Sequence, residues 1–156
     1  MVQESLKLTK TEEYLRQLIG KWSAGVTMRT SAGKVVAGWG EMCAKETEWG
    51  INCGIDGSIE GYEDFYQNDH WTFDPVDDTV HLVRLSSEGQ LHDHAGRYRG
   101  NSTLELYWRG AFEDQEQEEY IIVKWRNRDQ FDIKEKSYSM DKLLLTTDYA
   151  FKRRIS

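Results

Sequence analysis

The sequence predicts a mainly β protein, a single antiparallel up-and-down β-barrel of about eight to ten strands behind one short N-terminal helix. Three observations carry this. Pro75 is the only proline among 156 residues that include 13 glycines and six tryptophans; long strands exclude proline, and curved ones bend at glycine. From Trp22 onward apolar residues recur at every second position, the period of a strand. No helix-period segment long enough for a crossover interrupts the strands, which argues against a parallel sheet. Closing such a meander removes its exposed edges.

Residues 1–10 read as a flexible polar leader, and residues 11–156 as one barrel domain. Thr11 is the expected N-cap of the helix, with Glu12 and Glu13 favouring the positive end of its dipole. Tyr14, Leu15, Leu18 and Ile19 supply one apolar face, and Gly20 is the expected stop. Trp22, Ala24, Val26 and Met28 then share one face of a first strand, and Lys21, Ser23, Thr27 and Arg29 the other. "TSAGK" is a turn. A second strand starts near Val35, and "GINCGIDGSIEG" belongs to a third, with glycines at expected bends.

The remainder reads as a meander. One strand runs around Trp71 and Phe73 and ends at Asp74-Pro75. "TVHLVRLSSEGQLHDHAGRY" is a hairpin centred near Glu88-Gly89. "STLELYWRGAF" and "EEYIIVKWRN" are joined by "EDQEQ", and the charge run "EDQEQEE" is expected as a solvated hairpin tip. "FDIKEKSYS" and "LLLTTDYAFKRRI" close the set, with Leu143, Leu145, Tyr149 and Phe151 on one face.

Composition limits the partners. The formal net charge is −7, and the only basic cluster is Lys152-Arg153-Arg154. That balance argues against nucleic acid and anionic membrane surfaces, which require clustered Lys and Arg. No apolar run approaches the ~20 residues of a membrane helix, and the N-terminus lacks a secretory h-region. A cytoplasmic location is the expectation. Cys43 and Cys53 are too few for a disulfide scaffold and are expected as buried free thiols.

Gly20-x-Trp22 on the first strand, with Arg153 two residues after Phe151 on the last, resembles the calycin superfamily, which includes lipocalins and fatty-acid-binding proteins. The resemblance implies that Trp22 plugs the closed end beneath Arg153, a cation–π contact. The order of motifs over residues 11–154 is similar to that of uncharacterised bacterial lipocalin-like domains, to which no reaction is assigned. Related nitrobindin-like barrels hold haem through a histidine, but no histidine here matches that motif, and the sequence requires no cofactor.

The sharpest chemical candidate is His92-Asp93-His94. Residues two apart on a strand face the same way. With a turn at Glu88-Gly89, Leu85 pairs with His92 and Val83 with His94, which places His81 on the same face. Three imidazoles there would suit zinc or a polar ligand; exposed hairpin histidines are the bland alternative. Trp71, Phe73, Leu104, Leu106, Trp108, Ile121, Val123 and Trp125 fall on apolar faces and either fill the core or line a cavity. Trp39 and Trp49 are further candidates. Glu135 shares a face with Phe131 and Ile133, and Glu41 with Trp39; each is a ligand anchor or a rim residue. "YEDFY", residues 62–66, either shapes the barrel mouth or is a solvated edge. Cys43 and Cys53 are a weak redox pair.

No nucleophile–base pair or phosphate loop is present. The favoured function is therefore a non-enzymatic barrel holding a small hydrophobic or amphipathic molecule. Trp71, Trp108 and Trp125 would supply apolar contact, and His92, His94 and Glu135 polar anchors. Two alternatives stand beside it. One is a haem- or metal-binding protein or enzyme using His81, His92 and His94. The other is a filled interaction module, pairing as a homodimer.

Overall fold

The computed structural model describes residues 9–85 and 89–155. It contains α1 (Lys10–Arg16) and ten strands: β1 (Gly20–Thr30), β2 (Val35–Thr47), β3 (Gly50–Ile59), β4 (Phe65–Asp74), β5 (Thr79–Leu85), β6 (Leu91–Gly100), β7 (Thr103–Phe112), β8 (Gln115–Asn127), β9 (Gln130–Ser139) and β10 (Lys142–Arg153). Each strand pairs antiparallel with the next, and β1 also pairs with β10, so the sheet closes into a barrel. Among the described residues no helix is long and apolar enough to cross a membrane. Residues 1–8 of the expected leader lie outside the described residues.

Strand alternation sorts the chain into two faces. Trp22, Ala24, Val26 and Met28 point inward from β1, as their spacing predicts. Leu104 and Leu106 of β7, Ile121, Val123 and Trp125 of β8, and Phe131 and Phe151 join them in the core. Three connections, Asn101-Ser102, Glu113-Asp114 and Met140-Asp141, have both residues at positive φ, between 50° and 64°. These are the two-residue hairpin turns whose twist matches that of the strands they join.

The helix starts earlier than its sequence suggests. Thr9, not Thr11, is the N-cap: its extended backbone lets its side chain accept from the Glu12 N–H at 3.2 Å. Thr11 is buried in the first turn instead. The helix ends at Arg16, so Leu18 and Ile19 belong to the link into β1. Gly20 opens that strand at φ +132°, and a Cβ there would stand 2.6 Å from Arg153 Nη1. Glycine is thus required both by the backbone and by the arginine beside it.

α1 and its link cap one end of the barrel. Leu15 and Leu18 pack on the core with Trp22, which is fully buried and donates from Nε1 to Leu18 O at 2.8 Å. The Arg153 guanidinium lies 4.2 Å from the Trp22 ring centroid. It also donates to Ile19 O and Gln17 O at 2.8 Å, to Arg128 O at 2.9 Å and to Asp129 at 3.1 Å. One side chain thus fastens the last strand, the end of the helix and the β8–β9 turn.

The structure corrects several expectations and decides between the alternatives left open for others. The acidic run is not one solvated tip. Only Glu113-Asp114 forms the turn, and Gln115–Glu119 already belongs to β8. A bulge between Leu143 and Leu145 takes Leu143 off the inward series and leaves it exposed. Trp39 and Trp49 point outward, with 56% and 76% of their surface exposed. Glu41 also faces out and pairs with Arg154 at 3.5 Å. Tyr62 and Tyr66 of "YEDFY" are exposed, while Phe65 is half-buried and packs against the core. Cys53 points inward and Cys43 occupies the outer face, because Cys53 pairs with Ala44 rather than Cys43. Burial pushes the Cys53 thiol far above its ordinary range, which makes it unreactive rather than redox-active.

Candidate functional site: a charged layer inside the barrel

Beyond the helix-capped core the inner face changes from apolar to charged. The β5–β6 register decides which residues appear there. Leu85 pairs with Leu91, so His92 stands opposite Arg84 and His94 opposite Leu82. This is one residue off the sequence-based pairing, and a one-residue shift exchanges the two faces of β5. His81 is therefore outside, bonded through Nδ1 to Asp93 at 2.9 Å. It does not share a face with His92 and His94. The expected turn residue Glu88 lies outside the described residues.

Arg84, turned inward instead, ties the barrel together across its lumen. Its Nε and Nη2 donate to the two carboxylate oxygens of Asp69 on β4 at 2.8 and 2.9 Å. Nη2 also reaches Glu135 on β9 at 2.9 Å. Gln67 donates to Asp69 as well, at 2.9 Å. The side chain of Asp69 is 3% exposed and that of Arg84 11%. Burial opposes the charge on Arg84, but Glu135 and Asp69 outweigh it and hold the guanidinium well above its usual range.

A second cluster sits on the neighbouring strands. His92 and His94 are both buried, His94 completely. His92 Nδ1 lies 2.9 Å from Glu119 Oε1, and His94 Nε2 lies 2.8 Å from Glu119 Oε2. One carboxylate of β8 thus meets both imidazoles of β6. The three donor atoms fall within 4.8 Å of one another, a group able to hold a metal ion. Trp108 stacks on His92 with ring centroids 3.6 Å apart and planes 18° from parallel. Gly110 leaves room for that indole, since a Cβ there would meet it at 2.3 Å. Trp71 and Trp125 are part of the packed core, and Trp125 stacks obliquely against Tyr14 at 5.0 Å.

Glu119, Arg84 and Asp69 are missing from the candidates drawn from sequence. A signal for each exists in the alternation. Glu119 is two residues before Ile121, Arg84 two after Leu82, and Asp69 two before Trp71; each extends an apolar face by one step.

The site sets an acid limit on stability. Burial lowers the pKa of His92 below its ordinary 6.5, with His94 and Arg84 adding to that and Glu119 only partly opposing it. Burial would raise Glu119, but its hydrogen bond to His94 and the charges of His94, His92 and Arg84 hold it below its ordinary 4.5. A group whose pKa is depressed by folding contributes stability above its unfolded value and loses it as pH falls through its folded value. The unfolding free energy of chelator-treated protein should therefore begin to fall as pH drops below 6.5, and fall further below 4.5. Urea titrations from pH 7.5 to 4 check this. A His92→Asn variant should show a shallower decline between pH 6.5 and 5; an unchanged slope would assign the loss to other groups.

The fold and this interior define a closed antiparallel β-barrel with a charged inner layer that solvent partly reaches. Over 95% of this chain and 94% of the other, it superposes on the S-type phycobiliprotein lyase CPES from Guillardia theta with a TM-score of 0.71 at 11% identity. That similarity shows a shared β-barrel fold. Weaker matches are a redesigned β-barrel at TM-score 0.47 and 14% identity, covering 91% of this chain and 96% of that one. Another is a DUF3598-family protein of unknown function from Nostoc punctiforme PCC 73102, at TM-score 0.26 and 9% identity, covering 94% and 100%. No protein-family profile and no curated protein sequence matches the chain.

Proposed function

We propose that this protein is a calycin-type binding barrel that takes one small, partly apolar molecule through the end opposite α1. Kinship with the uncharacterised bacterial lipocalin-like domains is part of the same reading. One observation carries it. Glu119 and Glu135 point into the barrel yet keep 22% and 18% of their side-chain surface exposed. Solvent therefore reaches an inward-facing polar layer, whereas a filled barrel would shut it off. Binding sites of this type combine apolar walls with a few placed polar groups. Trp108 offers the apolar wall, and Glu119, Glu135 and His92 the polar anchors. The fold shared with CPES supports the container architecture; at 11% identity it carries no chemistry.

The test is native mass spectrometry of freshly purified protein, followed by titration with the uncharged dye Nile red. The expected result is a retained small molecule or one dye per chain, with affinity reduced at least tenfold in Trp108→Ala while the far-UV spectrum is unchanged. A bare mass together with no dye uptake would reject the binding barrel and favour a filled interaction module.

A further inference from the structure

We propose that His92, His94 and Glu119 form a binding site for one divalent transition-metal ion of the zinc class. The proposal concerns the metal alone and does not depend on whether an organic molecule also enters the barrel. It stands on four features of the cluster.

The first is donor chemistry and spacing. Two imidazole nitrogens and a carboxylate oxygen suit zinc and its neighbours in the transition series. Ligands held at about 2.0–2.1 Å from one ion lie roughly 3 Å apart at adjacent coordination positions. His92 Nδ1 and His94 Nε2 already stand 2.9 and 2.8 Å from the Glu119 oxygens. The two histidines meet different oxygens of Glu119 and the ligand atoms lie within 4.8 Å of one another, so the side chains draw together around the ion on binding.

The second is the outer partners. His94 Nδ1 lies 3.3 Å from Leu82 O, and His92 Nε2 lies 3.3 Å from Gln90 Oε1. Both partners are acceptors. A neutral imidazole carries one N–H, so donating it outward leaves a lone pair on the inner nitrogen. Metal-binding histidines are commonly oriented by such an outward N–H bond to a carbonyl oxygen. Without an ion the inner nitrogens share protons with Glu119 at hydrogen-bond distance; an ion bound there replaces those protons, and the imidazoles donate outward to Leu82 O and Gln90 Oε1 instead.

The third is charge. Among the described residues of this inner layer, Asp69 and Glu135 bond the guanidinium of Arg84, and Glu119 is the third carboxylate. With neutral imidazoles the layer formally carries two negative charges, which a dication balances. Arg84 is engaged by Asp69 and Glu135 and is held by them rather than by Glu119.

The fourth is access and rigidity. Trp108 stacked on His92 fixes the ring plane. Glu119 remains 22% exposed, so an ion can enter from solvent. Three protein ligands also leave a coordination position for water or for a donor atom of a bound molecule, as in zinc sites that are not closed by four side chains.

The test uses the full chain, stripped with chelator and dialysed against zinc at pH 7.5, with metal content measured by mass spectrometry and affinity by calorimetry. One zinc per chain is expected. His92→Asn and His94→Asn should each weaken binding about 100-fold or more, and Glu119→Gln, which keeps the side chain's shape, at least tenfold. His81→Asn, on the outer face, should bind as the unaltered chain does. Cobalt(II) added to the unaltered protein gives a readout that needs no variant: visible d–d bands of nitrogen–oxygen ligation are expected. Absence of stoichiometric zinc, zinc that survives the His92→Asn/His94→Asn double substitution, loss on His81→Asn, or an unchanged aqueous cobalt spectrum would each overturn the site. The first of these would show that protons alone join the two histidines to Glu119.

Discussion

Replacing Arg84 with methionine is expected to destabilise the barrel by about 3–5 kcal/mol, the usual cost of removing one member of a buried ion cluster. The loss does not measure what the ion pairs add to stability. It measures what Asp69 and Glu135 suffer when their shared partner goes. Asp69 is nearly sealed from water, and its two oxygens each accept one of the Arg84 bonds. Without the guanidinium, the amide of Gln67 is the one side-chain donor left to it among the described residues. Glu135 suffers less, because it keeps contact with solvent at the mouth. Equilibrium urea unfolding reads the change. A combined Arg84→Met/Asp69→Asn variant should recover a substantial part of the loss, since the neutral amide no longer brings a buried charge. A loss below about 1 kcal/mol for Arg84→Met would mean that water entering through the mouth solvates both carboxylates.

Trp22→Ala should cost about 3–5 kcal/mol, as large-to-small changes at fully buried aromatic positions do. The indole fills the capped end, meets Phe131 edge-on at 4.7 Å and ties itself to Leu18 O. Arg153→Lys tests the other half of the same device. Lysine keeps the charge but lacks the fork that serves three carbonyl oxygens and Asp129 at once. A loss of about 1–3 kcal/mol is expected from the bonds that cannot be remade. Thermal or urea unfolding checks both variants. If Arg153→Lys matched the unaltered protein, the guanidinium would be a surface group resting on Trp22 rather than a fastener of the helix link.

The barrel was legible in the sequence because its signal is local. Side chains alternate faces along a strand, so Trp22 through Met28 and Ile121 through Trp125 declare their inner faces wherever the chain goes. Gly20 and Trp22 mark the entry to the first strand for the same reason: the backbone turn and the buried ring are fixed within three residues. The charged layer was much less legible. Alternation says that two residues share a face, not which face is inside when both carry polar groups. In β5, His81 and Val83 compete with Leu82 and Arg84, and a register that pairs Leu85 with Leu91 rather than His92 decides the outcome. Glu119 was hidden by its neighbours, since it ends a run of seven acidic or amide residues, 113–119, that read as a solvated tip.

What the sequence determined by itself is the barrel, the inner faces of its most apolar strands and the plug at its capped end, all products of short-range periodicity and one glycine. Tertiary structure alone decided which charges enter the lumen. A buried charge is stable only beside its partners. Arg84 and Glu135 are 51 residues apart, and His94 and Glu119 are 25 apart. Those partners meet only when the strands between them have paired in register and the barrel has closed.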